Sequence, residues 1–333
     1  MSIPGDAGFA RATVGNDGSV RRESREDAVR LGDTAALSHP GRRRRHNEDS
    51  YVVQPPLFAV ADGMGGAKAG EVASGLAAAA VQESDGEGQS GEARVAALIE
   101  EANRRVFRRA SEDREASGMG TTMTVALVED DKVAIGHVGD SRAYLIRNGR
   151  LQQLTDDHSL VAELVRSGKL TPEEAEAHPQ RSVITRALGT EADVDVDTFS
   201  VEATEGDLFL LCSDGLTTMV DDEAILDAVR QNRPNLEHAA KALVNAANRE
   251  GGEDNITVVF FEVGGGDEPA ERTEDTVVTE RLTDDAETMD ESDRQPAIDV
   301  VEQDRRGRLL PILAALAVLL IIAAAVLWLL DHL

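Results

Sequence analysis

Apolar residues between positions 34 and 263 come in two kinds of run. The short kind is nearly continuous and rich in Val, Ile, Leu and Phe, as at 57–61, 132–138, 142–147, 208–212 and 256–263. Runs of this length, bounded by Gly, Asp and Asn, predict strands with both faces buried. Weaker strand patterns lie at 35–38, around Tyr51, and at 121–129, 151–154 and 194–201. The long kind repeats apolar residues every three or four positions. It predicts long helices at 71–82, which is Ala-rich with Gly75 as its one breaker, and at 93–110. Further helices are expected at 223–231 and 236–249, and shorter ones at 160–167 and 172–177. The pair Asn148-Gly149 tolerates positive φ at both positions and predicts a two-residue hairpin turn. The strands from 121 to 147 read as an antiparallel meander. Strands clustered in hairpins with long helices inserted give an α+β class. The polar stretch 156–188 reads as an excursion from the core that could serve as a flap.

Outside 34–263 the pattern changes. Residues 1–33 mix Gly, Asp, Arg and Ser without an apolar run, which predicts a disordered lead-in and excludes a secretory signal. Residues 264–308 are dominated by Asp, Glu and Thr and predict a solvated, self-repelling linker. Thr273, Thr276, Thr279, Thr283 and Thr288 stand among its acids, as parts of a plain tether or as phosphorylation sites that feed back on the domain. Residues 309–330 are apolar throughout. A helix rising ~1.5 Å per residue over that length matches a hydrocarbon core ~30 Å thick, so a C-terminal transmembrane helix is expected. Pro311 falls in its first turn and Trp328 near its far end. Arg305, Arg306 and Arg308 precede the span and residues 331–333 follow it. The positive-inside rule then leaves the folded domain in the cytoplasm and a short tail outside.

Charge narrows the function. The chain carries 62 acidic against 34 basic residues, a net charge of -28, which argues against a nucleic-acid partner. The single cysteine, Cys212, provides neither a disulfide framework nor a zinc-type cluster. Five short acidic motifs stand out instead: Asn47-Glu48-Asp49, Asp62-Gly63, Gly139-Asp140, Ser213-Asp214-Gly215 and Asp254-Asn255. Most sit at the end of an apolar run, where an unpaired carboxylate is costly and several together repel. Each alone reads as a turn; together they read as one metal site. Carboxylates without His or Cys partners select Mg²⁺ or Mn²⁺. Two such ions can share a bridging water and present hydroxide to a phosphorus centre. Gly65, Gly66 and Gly70 do not make a nucleotide loop, since no Gly-Lys-Ser/Thr follows.

The ordered series Arg44-Arg45-His46-Asn47-Glu48-Asp49-Ser50, Ala61-Asp62-Gly63-Met64-Gly65-Gly66, Gly118-Met119-Gly120-Thr121-Thr122, Gly139-Asp140-Ser141-Arg142, His178-Pro179-Gln180-Arg181-Ser182, Leu211-Cys212-Ser213-Asp214-Gly215 and Glu253-Asp254-Asn255-Ile256-Thr257-Val258 resembles the metal-dependent protein phosphatase 2C family, specifically its bacterial serine/threonine phosphatases. The resemblance covers residues 34–263. It implies a central antiparallel β-sandwich flanked by helices on both sides, with two Mn²⁺ or Mg²⁺ ions at one end. It also implies that Asp62 bridges both ions, that the Gly63 carbonyl ligates one, that Asp214 and Asp254 complete the pair, and that Glu48 and Asp49 hold metal-bound waters. A third, weaker metal is implied at Asp140 and Ser182, and a phosphate-binding role at Arg44. Animal members carry His where Met64 stands. The general acid implied here is a metal-bound water, with His46 and His158 as the nearest imidazoles in sequence.

These expectations describe a membrane-anchored phosphatase acting on phosphoserine and phosphothreonine in proteins and opposing a Ser/Thr protein kinase. Two rival readings stand beside it: a catalytically silent phosphoprotein-binding module, and a metal-dependent hydrolase of small phosphoesters. The run of Arg42 to Arg45 around the phosphate arginine reads either as a merely solvated cluster or as a source of general substrate attraction.

Overall fold

The structure is a computed structural model that describes residues 30–65, 69–84, 89–114 and 116–264. The lead-in before residue 30, the acidic linker beyond residue 264, the apolar span 309–330 and the tail 331–333 lie outside the described residues. Among those described, no helix is long and apolar enough to cross a membrane.

The strands are β1 (Arg30–His39), β2 (Asp49–Gln54), β3 (Leu57–Met64), β4 (Gly120–Thr121), β5 (Met123–Glu129), β6 (Lys132–Val138), β7 (Arg142–Arg147), β8 (Arg150–Gln153), β9 (Asp197–Glu202), β10 (Leu208–Cys212) and β11 (Ile256–Gly264). The helices are α1 (Ala69–Gln82), α2 (Gly91–Glu112), α3 (Leu160–Arg166), α4 (Pro172–Glu176), α5 (Asp214–Thr217), α6 (Asp222–Asn232) and α7 (Leu236–Arg249). One sheet runs β1-β11-β10-β7-β8. The other runs β2-β3-β5-β6-β9, with β4 paired to the end of β3.

Period-2 alternation explains why the two sheets stack. In β3, Leu57, Ala59 and Ala61 join the core beneath α1 and α2, while Phe58 and Val60 enter the gap between the sheets. In β10, Leu208, Leu210 and Cys212 face α6 and α7, while Phe209 and Leu211 face the gap. β11 divides in the same way. Strands apolar on both faces give the continuous runs seen in the sequence. In the gap, Phe261 stacks on Phe58 at 4.3 Å and on Phe209 at 4.9 Å between ring centroids. Burying a side chain of this kind contributes ~1.5–3 kcal/mol. Helices thus cover both outer faces of an antiparallel sandwich, as expected.

One expectation is corrected. β5 and β6 are antiparallel neighbours, but β7 pairs with β10 and β8 in the other sheet, so residues 121–147 are not one meander. Periodicity reports which faces are buried, not which sheet a strand joins. The chain crosses between sheets at residues 139–141. There Gly139 has φ +115°, and a Cβ would run into Thr122.

Smaller differences also have reasons. β1 starts at Arg30, ahead of position 34, and its pairing with β11 carries a register shift between Leu31 and Thr34. The stretch 121–129 divides at Thr122 into β4 and β5. β9 starts at Asp197 because Val194 and Val196 pack into the core beneath α1 and α2, and its pairing with β6 begins at Asp197. Asn148 and Gly149 do form the hairpin turn, at φ +52° and +69°. The 156–188 excursion carries α3, capped by Ser159, and α4, closed by a capping box between Thr171 and Glu174. Bridges Thr121–Leu188 and Ser159–Ile184 pin its base.

Candidate active site

The alternation that sends Phe58 and Val60 into the gap carries Asp62 to the same face, at the end of the sandwich. Asp49 on β2 stands directly opposite Asp62. β10 delivers Ser213 as the N-cap of α5, whose first residue is Asp214. Asp254 lies two residues before β11, and Asp140 occupies the crossover between sheets. Five aspartates from five segments therefore meet at one end of the gap.

Their protonation records the crowding. Burial, then repulsion from Asp49, Asp214, Asp140 and Asp254, raises Asp62 well above the usual carboxylate range. Burial pushes Asp49 up to about 7 against hydrogen bonds from Thr257 and Ser213. It pushes Asp140 up to about 8, with Asp214 adding repulsion. Asp214 rises to about 6 through burial and Asp254, a hydrogen bond with Asp62 opposing the rise.

The residues fit a divalent cation. Buried oxygens Asp49 Oδ1, Asp140 Oδ1 and Asp214 Oδ1 have no hydrogen-bond partner, which is expensive unless a positive charge faces them. The donor set is all oxygen, matching Mg²⁺ or Mn²⁺. Beside Asp62, a Cβ on Gly63 would overlap the carbonyl oxygens of Gly70 and Glu48, so only glycine lets the three backbones close on this point. Among the described residues no three His, Cys, Asp or Glu side chains form a closed ligand cluster. The aspartates stand instead as like-charged neighbours with orphaned oxygens.

Arg44 lies at the rim, half exposed, with its Nη2 2.7 Å from Asp254 Oδ2. Glu48 is raised by burial while Arg44 pulls it down. Supporting residues surround these groups, and sequence reasoning gave most of them no role. Asn255 accepts the Glu48 N–H at 2.8 Å and donates to the carbonyls of Pro40 and His46, both at 3.0 Å. Ser213 and Thr257 donate to Asp49 Oδ2 at 2.8 and 2.6 Å. Thr122 Oγ1 accepts the Asp62 N–H at 3.0 Å and meets Ser141 Oγ at 2.8 Å. The available signal was adjacency, since Ser141, Ser213 and Asn255 each stand next to a motif aspartate and Thr257 follows Asp254 by three positions.

Ser182 is exposed in the turn after α4, and no hydrogen bond joins it to Asp140 among the described residues. His158 is buried. Its Nδ1 accepts the Gly139 N–H at 3.0 Å and its Nε2 meets Asp197 at 3.0 Å, so the ring braces the crossover. His46 is exposed, and no described histidine hydrogen-bonds the five aspartates. Burial pushes the Cys212 thiol up to about 12, which keeps it inert.

Known proteins resemble this chain in sequence and in fold. The sequence model of the family described as Protein phosphatase 2C matches residues 41–255. The serine/threonine phosphatase stp of Listeria welshimeri is 42% identical over 233 residues, covering 67% of this chain and 92% of that protein. The crystal structure of the Mycobacterium tuberculosis serine/threonine phosphatase PstP/Ppp superposes with a TM-score of 0.67 at 42% identity, covering 70% of this chain and 99% of that one. The catalytic domain of PstP in complex with two manganese ions gives a TM-score of 0.64 at 41% identity, covering 71% and 99%. With the family match running from the loop before Arg44 to Asn255, and so across all five aspartates, the chain belongs to the protein phosphatase 2C family.

Proposed function

We propose that the chain is a serine/threonine protein phosphatase that hydrolyses phosphoserine and phosphothreonine in other proteins. The observation that carries this reading is the meeting of Asp62, Asp214 and Asp254 with the half-exposed guanidinium of Arg44 at one end of the sandwich. Two Mn²⁺ or Mg²⁺ ions would be held by Asp62, the Gly63 carbonyl, Asp214 and Asp254, with Glu48 and Asp49 around them. A third would be held by Asp140 with Ser182, a reading supported on the Asp140 side by its unpaired buried oxygen. Such ions supply Lewis-acid activation of water and of phosphoryl oxygens.

The chain's own groups do the rest. Arg44 can exchange Asp254 for two phosphoryl oxygens, orienting the ester and balancing charge that develops on it. Asp49, fixed at Oδ2 by Ser213 and Thr257, keeps Oδ1 free to accept a proton inside the site. The Asp62 backbone is held by Thr122 on both its N–H and its carbonyl, at 3.0 and 2.9 Å, so its carboxyl group starts from a fixed strand end.

The apolar span 309–330, with arginines ahead of it, supports a single-pass membrane anchor and a cytoplasmic catalytic domain. Anchoring would raise local concentration beside membrane-bound partners, among them an opposing Ser/Thr protein kinase. The test is phosphate release from a phosphothreonine peptide by the purified full-length chain, with Mn²⁺, with chelator, and with Asp214→Ala. The expected result is Mn²⁺-dependent turnover abolished by both controls. Phosphopeptide binding without turnover would favour the silent binding module, and preferential turnover of nucleotides would favour the small-phosphoester hydrolase.

A further inference from the structure

The loop that carries Arg44 is basic beyond what phosphate binding requires. Arg42, Arg43, Arg44, Arg45 and His46 are consecutive and all exposed. Of the four guanidiniums only Arg44 enters an ion pair among the described residues. Such a run stands against the rest of the molecule, with its net charge of -28 and a site built from five aspartates. Both would repel a phosphorylated peptide rich in Asp and Glu.

The loop is also fixed in place. The N–H groups of Arg42 and Arg43 donate to the Gly252 carbonyl at 2.8 and 3.1 Å. Asn255 ties both ends through the carbonyls of Pro40 and His46. Gly41, at φ +75°, lies so close to the carbonyl of Asp254 that a side chain would overlap it. The unpaired guanidiniums therefore spring from a backbone clamped to the Asp254–Asn255 segment, next to the one that sits on Asp254.

We infer that Arg42, Arg43 and Arg45 form a subsite for acidic residues flanking the phosphorylated serine or threonine, so that the site prefers substrates with Asp, Glu or a second phosphate nearby. This inference rests on the phosphatase reading above and deepens it. Guanidiniums suit carboxylates and phosphates alike, so acidic side chains and neighbouring phosphates are recognised by one chemistry. Exposed charges act over roughly 10 Å at 0.1 M salt, so the preference weakens as salt is added.

The experiment compares kcat/KM of the full-length chain on matched phosphothreonine peptides with acidic, neutral or basic flanks. It is run at low and high salt, for the wild type, for Arg42→Gln/Arg43→Gln/Arg45→Gln, and for the corresponding triple Lys variant. The expected acidic-to-neutral ratio is about fivefold at low salt, falling toward one at high salt and in the Gln variant, and kept in the Lys variant. A ratio near one in the wild type, or one unchanged in the Gln variant, overturns the subsite while leaving the phosphatase reading intact. No turnover of any peptide overturns both. Arginine-dependent binding to phosphatidylglycerol vesicles, without a peptide preference, would assign the patch to lipid and overturn the proposal.

Discussion

Asp49 and Asp62 face each other directly across the β2–β3 pair, so two carboxylates share one cross-strand position at the end of the inter-sheet gap. Like charges in such a pair are destabilising, and here burial compounds the repulsion. The sandwich tolerates the arrangement because a proton or a cation can stand between the carboxylates.

That relationship gives the protein a pH dependence of defined sign. Asp49 titrates near 3.8 when unfolded and at about 7 when folded, and Asp140 is raised to about 8. Between the unfolded and folded values the folded state binds more protons, so stability falls as pH rises through the window. Buried His137, lowered to about 4, and buried His158 act in the opposite direction, but only below 6.5. The clean window is therefore pH 6.5 to 8. In chelator the thermal midpoint should drop across it, with each raised group contributing a slope of at most ~1.4 kcal/mol per pH unit. Mn²⁺ should abolish the drop, and Asp49→Asn should reduce it. A midpoint that rises across this window in chelator would contradict the electrostatic picture.

Asn255 should matter for a different reason. It satisfies one N–H and two carbonyls in the loop from Pro40 to Glu48. Asn255→Ala leaves these groups without their partner and should cost ~1–3 kcal/mol by denaturant unfolding. It should also loosen Arg44 and so raise KM for a phosphopeptide. A variant as stable as wild type, with unaltered KM, would show that the clamp is dispensable.

What was legible in the sequence follows from what periodicity can carry. β10 and β11 were readable because Leu208 to Cys212 and Ile256 to Val263 are apolar on both faces, one turned to helices and one to the gap. The site was readable because an aspartate at the end of a buried run is anomalous. The sheet change after β6 was not, since Val138 and Ala143 are buried whichever sheet holds them. Nor was α5, a single turn whose start depends on Ser213 and Asp214 being drawn to the site. Thr122 and Ser141 carry no charge, and their pairing is a tertiary fact that neither segment announces alone.

The gap between sheets should be the least forgiving part of the core. Phe261 is fully buried and stacks on two other rings, so Phe261→Ala removes both contacts and leaves a cavity. The expected loss is ~3–5 kcal/mol, against ~1 kcal/mol or less for an exposed change such as Lys132→Ala. Chemical denaturation of both variants checks the contrast. A small effect at Phe261 would mean that the sheets can close over the hole.

Arg44 and Asp254 offer the sharpest separation of roles. In the resting structure Arg44 holds Asp254 through a single 2.7 Å contact, with about half of its side chain still exposed. An exposed pair of this kind is worth ~0.2–1 kcal/mol, so Arg44→Lys should barely move the unfolding midpoint. Its effect on turnover should be larger, because an ammonium cannot grip two phosphoryl oxygens in the planar fork that a guanidinium offers. Arg44→Lys is therefore expected to lower kcat/KM on a phosphothreonine peptide about tenfold or more, while Mn²⁺ still raises the thermal midpoint as in wild type. Asp254→Asn should do the reverse in part, weakening stabilisation by Mn²⁺ while leaving Arg44 free for phosphate. If both substitutions weakened Mn²⁺ stabilisation equally, Arg44 would belong to the metal centre's framework and not to the phosphate.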